Sequence, residues 1–135
     1  MYMHKILNKE VSKQINQLDT KKSAGHDSFN AKFLKLSHSL IVTPLTDIFN
    51  ISIDTGNYPD ELKIAKCIPI FKKVLKKAPS NYRPISIINT TNKIFEKLLY
   101  KILYKYFSKF NILYGYQYGF RQNYSTTQAL IEITD

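Results

Sequence analysis

Two short apolar runs, Ala65–Phe71 and Tyr82–Ile88, flank a basic connector, and no other stretch limits the fold so tightly. Ile, Phe and Tyr suit a pleated, half-buried surface, and Pro79-Ser80-Asn81 between the runs is turn chemistry. The pattern predicts an antiparallel hairpin whose connector carries Lys72, Lys73, Lys76 and Lys77. Pro69 and Pro84 each remove a backbone donor, which confines both runs to edge or end-of-sheet strands. A basic hairpin of this kind offers cations and N–H groups to a polyanion.

The distribution of charge points the same way. Residues 1–61 hold seven lysines and seven acids, whereas residues 62–131 hold eleven lysines, Arg83 and Arg121 against Glu96 alone, a net +12. Glu132 and Asp135 bring the chain to +10. Biased codon usage would scatter lysine, but it does not empty one half of acids. The asymmetry therefore indicates a nucleic acid or an anionic surface as partner.

The remaining pattern is helical. Ile6, Leu7, Val11, Ile15 and Leu18 predict a helix over residues 1–18. Lys21-Lys22-Ser23-Ala24-Gly25-His26-Asp27 reads as a loop with Gly25 available for a positive φ; it suits a bound phosphate or a solvated turn equally. Asn30 is placed to cap a short helix with Phe33, Leu34 and Leu36 facing inward. A further helix is expected from near Leu40 to Asp54, with Pro44 in its first turn and Gly56 as its left-handed stop. Ile41, Leu45, Ile48, Phe49, Ile51 and Ile53 supply its apolar side.

Beyond the hairpin, residues 89–92 read as a polar link and a helix is expected over 92–110. Ile94, Leu98, Ile102, Tyr106 and Phe110 repeat every four residues, and Phe95, Leu99, Leu103 and Phe107 do so one step on. Lys93, Lys97, Lys101, Lys105 and Lys109 form a third row. Unmixed charge at that spacing is mildly repulsive and fits a phosphate backbone, plain solubility or a membrane surface. A Tyr- and Gly-rich loop over 111–123 precedes Ser125 and Gln128, a capping box that opens a last helix. That helix is barely three turns long at Asp135, which reads as a truncated domain.

The fold class expected is α+β, mostly helical with one small basic antiparallel hairpin. A single cysteine, Cys67, permits no internal disulfide and fits a reducing compartment. Residues 1–20 are too charged for a secretory leader, so an intracellular protein, nuclear or cytoplasmic, is expected, with no membrane partner. His4, His26 and His38 stand in unrelated settings, and no phosphate-loop, dinucleotide or nucleophile-elbow motif occurs. A pair of catalytic metal ions needs clustered acids, which the basic half lacks. Read alone, the residues describe a binding surface with no catalytic centre.

Several blocks in order resemble non-LTR (LINE-type) retrotransposon reverse transcriptases, from about Glu10 onward. Lys21 to Asp27 resembles the family's K-S/A-x-G-x-D-G block, with His26 where Pro is common and Ser28 in place of a usual Gly. Pro44 to Asn50, Gly56-Asn57-Tyr58-Pro59 and Leu62-Lys63-Ile64-Ala65 are similar to the next segments, where Trp is frequent at the Leu62 position. Ile68 to Lys73 and Asn81 to Ser86 look like the first core motif, and Lys93-Ile94-Phe95-Glu96-Lys97 follows. Gln117-Tyr118-Gly119-Phe120-Arg121 and Ser125 to Leu130 resemble the second motif.

The resemblance implies an incomplete right-hand polymerase domain: fingers and the start of the palm over 62–135, preceded by a helical extension over 1–61. It implies that Lys72, Lys73 and Arg83 meet the triphosphate of an incoming deoxynucleotide. Lys66, Lys76, Lys77, Gln117 and Arg121 then belong to the nucleic-acid side, the last two supporting the template loop. The implied partners are an RNA template, a DNA primer and a deoxynucleoside triphosphate. The resemblance implies that the rest of the palm and the thumb lie outside this stretch. The family's catalytic aspartate blocks are not among the matched segments, so no cofactor is expected on this stretch alone, Mg²⁺ belonging to the complete polymerase. The alternatives are a non-catalytic basic nucleic-acid-binding module and a decayed transposon insertion.

Overall fold

The computed structural model describes residues 4–72 and 77–134. Its element order is α1 (Asn8–Asn16), α2 (Ala31–Leu36), α3 (His38–Thr55), α4 (Asp60–Lys63), β1 (Ala65–Phe71), a 3₁₀ turn (Pro79–Asn81), β2 (Tyr82–Ile88), α5 (Thr90–Lys109) and α6 (Thr126–Thr134). The class is α+β, with one two-stranded antiparallel sheet among the described residues. No described helix is long and apolar enough to cross a membrane. The chain divides into two compact units, Met1–Tyr100 and Lys101–Asp135.

The first unit closes on a helical core. Val11 and Ile15 of α1, Leu34 of α2, Phe49 of α3, and Ile94, Phe95 and Leu98 of α5 are buried. The rings of Phe49 and Phe95 stack at 4.5 Å and within 5° of parallel, and Tyr58 stacks on Phe95 at 5.2 Å. The Asn50 side-chain amide fixes the segment entering α1. Ile6 N–H donates to Asn50 Oδ1 at 2.8 Å, and Asn50 Nδ2 donates to the Ile6 carbonyl at 2.9 Å. Two backbone groups that would lose water on burial of Ile6 are thereby satisfied.

Several expectations hold at their residues. Asn30 Oδ1 accepts the Phe33 N–H at 2.9 Å, Gly56 closes α3 at a φ of 68°, and Ser125 and Gln128 bond reciprocally across the start of α6. Others are corrected. The first helix begins at Asn8 rather than at the chain start, because the Glu10 carboxylate accepts the Leu7 N–H at 2.9 Å and sets the helix start there. Residues 1–3 of that expectation lie outside the described residues. Leu36 is exposed and Phe33 half-exposed; Ala31 and Leu34, three residues apart, form the inward side of α2, and Phe33 stacks on Phe29 instead.

The third helix starts at His38, so Pro44 lies in its second turn and the Leu40 carbonyl has no i+4 donor. The α3 side that meets the core is Val42, Thr46, Phe49 and Ser52, whereas Ile48 and Ile51 face out. Its two buried hydroxyls bond to backbone oxygens, Thr46 to Val42 at 2.7 Å and Ser52 to Asn57 at 2.8 Å, which lets polar residues sit on the core side.

Candidate nucleotide and nucleic-acid interface

The hairpin forms with the strand limits read from the sequence, and its register fixes which side chains share a face. Ala65 pairs with Ile88 and Phe71 with Tyr82, with Pro69 opposite Pro84. The Lys72 N–H donates to the Asn81 carbonyl at 2.7 Å, one step past Phe71–Tyr82, and this sets the parity of the ladder. Counting back by twos, Ile70–Arg83, Ile68–Ile85 and Lys66–Ile87 are the hydrogen-bonded pairs, and Pro69–Pro84 is not one. Neither proline therefore removes a bond between the strands. What each removes is a donor on an outer edge, where a further strand could pair. That corrects the expected loss of ladder donors.

Side chains alternate, so Lys66, Ile68 and Ile70, with Lys72 beyond the strand end, lie on one face with Arg83, Ile85 and Ile87. Arg83 and Lys72 are diagonal neighbours, about 7–8 Å apart at the backbone. Lys66 lies six residues from Lys72, about 20 Å along the strand, towards the base of the hairpin. Lys66, Lys72, Lys77 and Arg83 are all exposed. Lys73 and Lys76 lie outside the described residues. The half-buried sheet expected from composition is instead an open one, with Ile70 49% and Ile85 45% exposed.

The base of the hairpin is held by polar groups that the sequence reading treated as a link. Asn89, Thr90 and Asn92, between β2 and the first turn of α5, are 3–4% exposed. Asn89 Oδ1 accepts the Asp27 N–H at 3.4 Å, and its amide nitrogen donates to the Glu61 carbonyl at 3.4 Å. Thr90 Oγ1 donates to the Phe29 carbonyl at 3.0 Å. Asn92 Nδ2 donates to the Leu62 carbonyl at 2.8 Å, and Asn92 Oδ1 accepts from the Tyr58 hydroxyl. Burial, and then the nearby Glu96 carboxylate, push the Tyr58 phenol above its ordinary pKa. A run of Asn and Thr between a strand and a strongly apolar helix is the signal that could have identified this hub.

The hub also explains the loop over 21–28. Gly25 does not use positive φ; a Cβ on it would lie 2.3 Å from Asn89 Oδ1 and 2.6 Å from Asn89 Cα, so the position needs the missing side chain. The left-handed backbone is at Ser28, φ 61°, the position where the resembled family usually has Gly. Lys21 and Lys22 remain exposed, and the Asp19 carboxylate accepts the Lys21 N–H at 2.9 Å.

Gln117 and Arg121 belong to the second unit. Gln117 Nε2 donates to the Gly119 carbonyl at 3.4 Å. Arg121 Nη1 donates to the carbonyls of Tyr114 at 3.0 Å and Gly115 at 3.4 Å, and the guanidinium lies 4.2 Å from the Tyr124 ring centre. Arg121 is thus engaged in closing its own loop. Its neighbour Phe120 has a φ of 60° with its ring fully in solvent, a conformation costing on the order of 1–3 kcal/mol in a bulky residue. Sequence reasoning passed over that ring.

Among the described residues no three of His, Cys, Asp or Glu converge as metal ligands. This donor set does not fit a catalytic metal pair, and no catalytic step is derived through one.

No protein-family model matches the chain. It is 30% identical over 126 residues, 93% of its own length, to a probable RNA-directed DNA polymerase from transposon BS of Drosophila melanogaster. It is 29% identical over 91 residues, 67% of its length, to a probable RNA-directed DNA polymerase from transposon X-element of the same organism. The chain spans 14% and 10% of the lengths of these two relatives.

Proposed function

We propose, from the premise that this chain is a stretch of a transposon reverse transcriptase, that its basic hairpin supplies the cations which meet the triphosphate of an incoming deoxynucleotide. The observation carrying this reading is the antiparallel register, in which Arg83 and Lys72 are diagonal neighbours on one exposed face. Arginine offers a planar pair of donors and lysine a compact charge, and a polyphosphate can accept from both at once. Lys73, next along the chain, joins them in this proposal, and Lys66, Lys76 and Lys77 extend the charge towards an RNA template and DNA primer. Gln117 and Arg121 support the template loop through the bonds that close it. Mg²⁺ would neutralise the triphosphate in the complete polymerase, held by acids outside this stretch. The work is intracellular, in nucleus or cytoplasm.

The test is a pair of titrations on the whole chain, one with a fluorescent deoxynucleoside triphosphate and Mg²⁺, one with a primed RNA template. Arg83→Ala is expected to weaken nucleotide binding about tenfold, as loss of a charge-assisted contact does, while nucleic-acid affinity changes little. Equal weakening of both would make the hairpin a strand groove and favour the non-catalytic binding module. The isolated chain is expected to add no nucleotide to the primer; sustained extension by purified chain would overturn the assignment of catalysis to residues elsewhere.

A further inference from the structure

The hairpin of β1 and β2 is fastened at one end only. Its side chains are mostly exposed on both faces, and among the described residues no helix packs broadly across either strand. A two-stranded hairpin in water is marginal without such cover, so its direction depends on the attachments at its base. Those attachments are polar. Asn89, Thr90 and Asn92, directly after β2, are 3–4% exposed and bond to the backbone of two other stretches, the loop before α2 and the helix α4. Thr90 Oγ1 donates to the Phe29 carbonyl, Asn89 spans the Asp27 N–H and the Glu61 carbonyl, and Asn92 Nδ2 donates to the Leu62 carbonyl. Glu61 and Leu62 precede β1 by four and three residues, so both strands are tied at the root. The missing side chain of Gly25 lets the Asn89 backbone come close enough for this.

We propose that Asn89 and Thr90 are positioning residues for the hairpin's cations: they set the angle at which β1 and β2 leave the helical core, and so where Arg83 and Lys72 stand. The inference rests on the triphosphate reading of those two cations and deepens it. Apolar side chains at positions 89 and 90 would supply burial, but burial has no preferred direction, whereas a hydrogen bond weakens steeply away from its line. Arg83 lies six residues from Asn89, about 20 Å along an extended strand. A tilt of about 10° at the base displaces a group at that reach by about 3.5 Å, beyond the tolerance of a hydrogen bond to phosphate. Contact with a triphosphate needs both cations placed at once, whereas diffuse attraction to a nucleic-acid strand does not. The angle of the hairpin therefore matters to one ligand and little to the other.

The experiment compares three forms of the whole 135-residue chain: unaltered, Thr90→Val, which keeps the shape and removes the donor, and Thr90→Ser, which keeps the hydroxyl. Nucleotide affinity is read with a fluorescent deoxynucleoside triphosphate and Mg²⁺, and strand affinity with a primed RNA template. The hairpin angle is read by pulsed electron paramagnetic resonance between two spin labels. One is at Ser80→Cys, in the exposed turn between the strands, and one at Asp47→Cys, exposed on α3, with Cys67→Ser removing the native thiol. Thr90→Val is expected to weaken nucleotide binding about tenfold, to change strand binding less than about twofold, and to shift or broaden the label distances. Thr90→Ser should keep all three at the unaltered values. Unchanged label distances in Thr90→Val overturn the proposal, since the buried hydroxyl then contributes stability alone. A changed angle with unchanged nucleotide affinity overturns it as well, provided Arg83→Ala does weaken that affinity. Where Arg83→Ala leaves nucleotide affinity untouched, it is the triphosphate reading that fails, and the label distances still decide whether the two residues set the angle. Where Thr90→Val does not fold by circular dichroism, Asn89→Asp carries the same expectations, because it keeps the acceptor for the Asp27 N–H and loses the donor to the Glu61 carbonyl.

Discussion

Ile94, Phe95 and Leu98 in the first half of α5 are at most 3% exposed, whereas from Lys101 onward no described residue of the same helix is buried. Both halves carry apolar residues every four positions, and both carry lysine in the third row. The pattern tells which side of a helix is apolar; it does not tell what covers that side. In the first unit the cover exists: α1, α2 and α3 pack on one another, the rings of Phe49 and Tyr58 stack on Phe95, and Asn89, Thr90 and Asn92 bond to backbone carbonyls at the start of α5. In the second unit the described rings interact pairwise at the surface, Tyr106 of α5 with Phe110 just past its end at 4.7 Å, and Tyr118 with Tyr124 in the loop at 5.6 Å. One unit is stabilised by burial and the other by surface contacts.

The largest expected effect tests that division directly. Phe95→Ala should destabilise the chain by about 3–5 kcal/mol, the usual range for emptying a buried aromatic site. Phe110→Ala, at a ring 56% exposed, should stay within about 0.5 kcal/mol. Urea unfolding followed by circular dichroism measures both. Comparable losses would mean that the second unit has a core of its own, and the comparison would fail.

Glycine gives the next contrast. Gly25→Ala forces a Cβ against the backbone of Asn89, which cannot swing aside as a side-chain tip can, and a loss of about 1–3 kcal/mol is expected. Gly119→Ala meets nothing within 4 Å and needs no left-handed backbone, so it should be neutral within about 0.5 kcal/mol. If Gly119→Ala proved as costly, the loop of the second unit would be packed more closely than its exposed rings indicate.

Both positions show how far the sequence could be read. The hairpin limits were legible because they follow from local chemistry: β-branched and aromatic residues on either side of Pro79-Ser80-Asn81. The caps at Asn30, Gly56 and Ser125 were legible for the same reason. Gly25 was assigned the wrong task, since its partner Asn89 is sixty-four residues away and no local pattern records a close approach at that range. The face shared by Arg83 and Lys72 depends on register, which the composition of two strands leaves open until one ladder bond is known. The engagement of Arg121 within its own loop, and the exposure of Phe120 beside it, follow from backbone angles that Q-Y-G-F-R does not announce.

Ser28→Gly sharpens the comparison by adding stability where the first unit holds strain. Ser28 has a left-handed backbone between the Asp27 and Phe29 anchors of the hub, and glycine takes that conformation without a Cβ penalty. After the added freedom of the unfolded chain is offset, a gain of about 0.5–1 kcal/mol is expected in the same urea experiment. A loss would mean that the Ser28 side chain makes a contact worth more than the strain.

The smallest expected effect concerns two phenols displaced in the same direction for different reasons. Burial leads for Tyr58, with the Glu96 carboxylate second. Desolvation also leads for Tyr118, followed by its hydrogen bond to the Glu132 carboxylate. A phenol with a raised folded pKa favours the neutral form in the native state, so its contribution is fully present below the unfolded value near pH 10 and is lost as pH rises through the folded value. Tyr58→Phe should therefore flatten the decline of global stability above pH 10, although it also removes a partner of Asn92 and lowers stability at neutral pH. Tyr118→Phe should leave that global slope unchanged and remove one high-pH step from the tyrosine absorbance titration. The two variants distinguish a titrating group coupled to the core from one that closes only a surface loop. A changed global slope in Tyr118→Phe would tie the loop of the second unit to the cooperative unfolding of the whole chain.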